Sequence, residues 1–122
     1  MTHEALEKYC LSKTGAVKEY PFDKYVAVYK VGGKMFALKK DADEPLRLNL
    51  KCDPLYAREL RSIYSSVIPG YHMNKKHWNT VICDGEIGEA SVREWIDDSY
   101  DLVFNSLTKK EQAKILSLFK TN

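Results

Sequence analysis

A chain of 122 residues with 44% hydrophobic and 30% charged side chains is long enough for one core without disulfide or metal staples, and its composition excludes a disordered tract. Its formal net charge of +2 excludes capture by nucleic acid through overall charge, so any such affinity must come from how the charges are arranged. No apolar run reaches the length of a membrane-spanning helix, and Cys10, Cys52 and Cys83 are too few and too scattered for a disulfide framework or a zinc knuckle. With no signal-peptide pattern at the N-terminus, the expectation is a single cytosolic domain over residues 1–122 with reduced thiols.

Thr2 can cap a first helix that carries Glu4 near its positive end and Ala5, Leu6, Tyr9 and Cys10 on one face, and Gly15 ends it. Residues 16–20 read as a short extended segment before Pro21. Residues 25–31 are β-branched and aromatic, Gly32-Gly33 suits a primed two-residue turn, and residues 34–39 return antiparallel. Both faces of this hairpin are apolar: Val26, Val28, Met35 and Ala37 share one side, Tyr29, Val31, Phe36 and Leu38 the other, and the pattern does not choose between them. Leu46, Leu48 and Leu50 then alternate with Arg47, Asn49 and Lys51, which predicts a strand with its leucines inward.

Asp53-Pro54 is a helix start, followed by Tyr56, Leu60, Ile63, Tyr64 and Val67 as a buried stripe, with Arg58 and Arg61 on a solvated face. Pro69-Gly70 turns the chain into a stretch dense in recognition chemistry, Tyr71 to Thr80, and residues 78–83 form a strand. Two Ser/Thr-x-x-Glu capping boxes, at Ser91 and Thr108, open two final helices. The first turns Val92, Trp95, Ile96, Ser99, Leu102, Val103 and Ser106 inward, and the second Ile115, Leu116 and Phe119. Strands joined by tight turns and mixed with helices predict an α+β fold with an antiparallel sheet.

Charge is unevenly placed. Residues 84–101 hold seven acids against the single base Arg93, while residues 34–51 and Lys75-Lys76 lean basic. Lys75, Lys76 and His77 supply cations for phosphates, His77 when protonated, and Asn74 and Trp78 supply an amide and a ring beside them. Lys34, Arg47 and Lys51 extend the set. His72 and His77 lie five residues apart across a bend without nearby ligand spacing, so no metal site is expected. Cys52 precedes a helix start and is the thiol with the best claim to reactivity, but no orienting group or motif accompanies it, so neither an enzyme nor a cofactor is expected.

The blocks Gly32-Gly33-Lys34-Met35-Phe36-Ala37, Lys51-Cys52-Asp53-Pro54, residues 69–79 and Ser99-Tyr100-Asp101-Leu102-Val103 together resemble the MmcQ/YjbR family over nearly the whole chain. The resemblance implies a CyaY/frataxin-like fold, a twisted antiparallel sheet with helices packed on one face. It also implies a bacterial, non-catalytic protein that binds DNA through two wings. The wings would be the Gly32-Gly33 hairpin with Lys34 and the 71–78 stretch with Lys75, Lys76 and His77. A frataxin-like iron role would want an acidic ridge on the first helix, which here offers only Glu4 and Glu7. The expected partner is DNA, met at Lys34, Arg47, Lys51, Asn74, Lys75, Lys76 and His77 by a monomer without metal or cofactor. The alternative is a protein- or small-ligand-binding module, drug-binding in one variant, that uses Tyr71, Tyr29 or Tyr25 beside the acidic helix face.

Overall fold

The computed structural model of the chain, which describes residues 1–70 and 73–118, begins with α1 (His3–Leu11), capped as expected by the Thr2 hydroxyl, which accepts from the Ala5 amide at 3.0 Å. Strands β1 (Val17–Glu19), β2 (Val26–Val31), β3 (Lys34–Lys40) and β4 (Arg47–Lys51) follow, then α2 (Pro54–Ile63), β5 (Val67–Pro69), β6 (Trp78–Ile82), α3 (Glu89–Ser106) and α4 (Lys109–Leu118). The strands form one antiparallel sheet in the order β1-β2-β3-β4-β6-β5, so the fold is α+β. Gly32 and Gly33 both take positive φ, 58° and 79°, the conformation a primed turn needs.

Side chains alternate across a strand, so the register assigns the sheet faces. Ala27 and Tyr29 on β2, Leu48 and Leu50 on β4, and Val81 on β6 turn toward α1, α2 and α3, where they meet Leu6, Cys10, Leu60, Trp95, Ile96 and Val103 in the core. The hairpin that sequence alone leaves ambiguous is resolved by a β-bulge. Tyr29 pairs with Ala37 but Lys30 pairs with Met35, so Phe36 is an extra residue, and both Phe36 and Ala37 join the core. The opposite face carries Val26, Val28 and Lys30 of β2, Leu38 and Lys40 of β3, Arg47, Asn49 and Lys51 of β4, and Trp78 and Thr80 of β6.

Several expected details change. The stripe of α2 is Ala57 and Leu60; Tyr56 and Ile63 are exposed, because the helix ends at Ile63 and Val67 belongs to β5. The α3 helix starts at Glu89, capped by Gly88, whose carbonyl accepts from Ser91 and Val92, so Ser91 is already helical and its capping box does not form. Leu102 and Ser106 of α3 face outward. The Thr108 box does form: Glu111 accepts from the Thr108 amide at 3.1 Å and the Thr108 hydroxyl from the Glu111 amide at 3.0 Å. On α4, Ile115 packs partly against the core and Leu116 is exposed; Phe119 lies outside the described residues.

Candidate nucleic-acid interface

Two turns, β2–β3 at Gly32-Gly33 and the β5–β6 loop, described at residues 70 and 73–77, leave the sheet at the same end. The register requires this: β3 starts where β4 finishes, with Ala37 opposite Leu50, and Lys51 at the end of β4 pairs with Trp78 at the start of β6. Only β4 lies between the two hairpins, so β3 and β6 run roughly 10 Å apart, two inter-strand spacings.

The β5–β6 loop is held by its own backbone and by α2. Asn74 accepts the His77 and Trp78 amides on its carbonyl, at 3.1 and 2.9 Å, and the Lys76 amide on its side chain at 3.0 Å. The Gly70 amide donates to the Trp78 carbonyl, and a Cβ at Gly70 would come within 2.8 Å of Trp78 Cβ, so that crossing admits no side chain. Arg61, expected on a solvated face, instead turns inward. It donates through Nε to Asn79 Oδ1 at 2.6 Å and through Nη2 to the carbonyls of Lys75 and of Trp78, binding the loop to the helix. The Cys52 amide donates to the His77 carbonyl at 2.8 Å, fastening the loop to the end of β4.

Lys75, Lys76 and Asn74 stand exposed on this loop, His77 is half-buried, and Lys34 is exposed on the other turn, where it donates to Ser106 Oγ at 3.4 Å. Lys51 lies between the two. Arg47 does not join them: it sits at the far end of β4, opposite Ile82, about 13 Å along the strand from Lys51. His72 and Tyr71 lie outside the described residues. Sequence reasoning missed Arg61 as a loop clamp, and missed that Lys109 and Lys110 adjoin this end. The start of α4 reaches it because Leu107 packs on Gly32, where an added Cβ would meet Leu107 Cδ1 at 2.6 Å. The Thr108 capping box placed these lysines on a first turn, but nothing in the sequence placed that turn beside Gly32.

The ion pairs sharpen the contrast. Lys13, Lys18, Lys30 and Lys39 pair with Asp97, Glu7, Glu19 and Asp41, whereas Lys51, Lys75 and Lys76 make no ion pair among the described residues. Acids gather at the opposite end, at Asp41, Asp43 and Glu44 between β3 and β4 and at Asp84 and Glu86 beyond β6, while Asp53 and Asp98 stand by Cys52 at the hairpin end. Other candidate chemistry does not gather. Cys52 is half-buried, and burial together with the Asp53 and Asp98 carboxylates pushes its thiol up to about 11, opposite to the lowering that a helix start alone would give. Tyr29, a candidate contact of the alternative reading, is fully buried, with its hydroxyl donating to Glu7 at 3.3 Å. Among the described residues no three of His, Cys, Asp and Glu converge as a metal cage, and no helix is long and apolar enough to cross a membrane.

The sequence model of the YjbR family matches residues 11–102. The chain belongs to the YjbR family. The uncharacterised YbdF protein of Escherichia coli O157:H7 is 39% identical to this YjbR-family chain over 113 residues, covering 93% of each. The uncharacterised YjbR protein of Escherichia coli K12 is 32% identical over 118 residues, covering 97% of this chain and all of the relative. Among solved structures, Deinococcus radiodurans protein DR2400 superposes with a TM-score of 0.89 at 38% identity, covering 93% of this chain and 87% of that one. The YjbR match begins at the end of α1 and stops within α3, so it includes the whole sheet and both turns of the basic end.

Proposed function

We propose that this protein is a non-catalytic, cytosolic, monomeric DNA-binding protein that uses the hairpin end of its sheet as a pair of wings. The observation that carries the reading is that the two turns project from one end with Lys51, Lys75 and Lys76 free of ion pairs among the described residues. Cations already neutralised by carboxylates have little left to offer a phosphate. Cations that face solvent alone release counterions from DNA when they replace them. Lys75 and Lys76 contact phosphates, Lys34 and Lys51 hold the second wing and the floor between, and Asn74 and His77 keep the loop in register. Trp78, 8% exposed, is a packing residue of the hairpin and not a wedge between bases.

The test is fluorescence anisotropy of labelled single- and double-stranded DNA at low and at physiological salt. Four phosphate contacts, from Lys34, Lys51, Lys75 and Lys76, predict a loss of about a hundredfold in affinity between the two. Lys75→Glu with Lys76→Glu is expected to abolish binding, and neutral replacements at both positions to lower the salt slope by about two. Arg47→Glu, at the other end of β4, is expected to leave affinity within about twofold. Absence of binding by either strand form at low salt would sink the reading.

A further inference from the structure

The sheet face turned away from the helices holds a trough that Met73 of the β5–β6 loop lines on one side and that the phosphate-facing lysines of the wings do not line. Its volume is about 650 Å³, inside the range of roughly 300–1,000 Å³ typical of sites for small organic ligands. Val26 of β2 and Leu38 of β3 form an apolar half of its floor, and Phe22, 65% exposed in the β1–β2 loop, rises beside them. An aromatic ring so exposed next to half-buried aliphatic side chains makes one side of a slot for a flat apolar body.

The other half is polar and positive. Leu38 pairs with Asn49, and Lys40 and Arg47 line the trough beyond that pair. Arg47 is exposed and makes no ion pair among the described residues. Asp43 adds one negative charge at the rim, and Arg47 is the trough's exposed cation without an ion pair among the described residues. Between the halves, Thr80 Oγ1 donates to Asn49 Oδ1 at 2.6 Å, and Asn49 Nδ2 donates to the Leu38 carbonyl at 3.4 Å. A face that served burial alone would carry aliphatic residues here, because a largely buried amide and hydroxyl need partners to offset their desolvation.

We propose that this trough binds a small aromatic monocarboxylate, with the ring against Phe22, Val26 and Leu38 and the carboxylate on the guanidinium of Arg47. The planar fork of Arg47 matches a carboxylate in a two-bond arrangement. A polyphosphate meets repulsion from Asp43, a cation meets it from Lys40 and Arg47, and a neutral apolar molecule leaves the guanidinium covered and unpaired.

The probe is 1-naphthoate, titrated into the ¹⁵N-labelled full chain and followed by amide shifts, with 1-naphthamide as a neutral molecule of nearly the same shape. Naphthoate is expected to move the amides of Leu38, Lys40 and Asn49 and to bind at least about tenfold more tightly than naphthamide. Arg47→Gln is expected to bring naphthoate to the naphthamide level, and Phe22→Ala to weaken both. The Lys75→Glu, Lys76→Glu protein is expected to bind naphthoate unchanged, so a failure of the DNA reading and a failure of this one are told apart. Equal affinity for acid and amide in the unaltered chain overturns the proposal. So do shifts centred on residues 74–76, insensitivity to Arg47→Gln, or no shifts at all.

Discussion

Arg61 joins three acceptors that no other described side chain brings together: the Asn79 amide oxygen, the carbonyl of Lys75 in the β5–β6 loop and the carbonyl of Trp78 at the start of β6. Hydrogen bonds from a charged donor are worth about 1.5–3 kcal/mol each where they are sheltered, and here their acceptors share one rigid fork. Arg61→Met is expected to cost about 2 kcal/mol in urea unfolding and to speed amide exchange at residues 76–78. Arg61→Lys is the sharper variant, since it keeps the charge but not the fork. If Arg61→Lys restored both stability and slow exchange, the clamp would be a matter of charge and not of geometry. Sequence periodicity assigned Arg61 to a wet helix face because period counts only neighbours on the same helix. The loop that Arg61 holds lies 14 residues further along the chain.

At the level of elements, the β3 bulge and α3 are one device. Ser99, fully buried on α3, accepts the Lys51 amide at 2.9 Å and donates to the Phe36 carbonyl at 2.6 Å, so one hydroxyl serves the end of β4 and the carbonyl that the bulge leaves outside the ladder. Ser99→Ala is expected to cost about 2–4 kcal/mol, because both backbone groups stay behind in a dry site, and urea unfolding measures it. A loss under about 0.5 kcal/mol would mean that water or relaxation serves them instead. The bulge also explains what the sequence could and could not say about the sheet. Gly32-Gly33, Asp53-Pro54 and the alternating leucines are local signals, and each appears where expected. The inward face of the β2–β3 hairpin was not legible, since one inserted residue shifts the alternation and both candidate faces lose their meaning. The three residues of β5 are too few to show a period, and so the helical pattern of α2 ran over them. Of the basic end, the turns carrying Lys34 and Lys75 were legible, but their meeting at one end, and the arrival of α4 beside them, depend on pairings between distant strands.

Across the whole molecule the charges form two poles, and carboxylates near each pole respond to acid with opposite sign. At the end away from the hairpins, hydrogen bonds from Ser66 and Ser65 hold the Glu86 carboxyl below its ordinary range, and Ser66 with the Glu86 amide does the same for Asp84. A carboxyl lowered in the folded state contributes stability at neutral pH, and that contribution is lost as pH falls through the folded pKa. Asp98 on α3 is raised, by burial first and then by Glu94, Asp101 and Asp97, so its ionised form works against folding at neutral pH and the penalty is relieved as it takes a proton. Glu86→Gln is therefore expected to lower the urea midpoint at pH 7, with the difference from the parent closing toward pH 3. Asp98→Asn is expected to raise the midpoint at pH 7, with its advantage fading as pH falls through the folded pKa of Asp98. Midpoints of the three proteins between pH 3 and 7 decide the matter. A drop for Asp98→Asn at pH 7 would mean that the carboxylate beside Cys52 and Trp95 is held by a favourable contact, and that acid crowding on α3 is not what governs it.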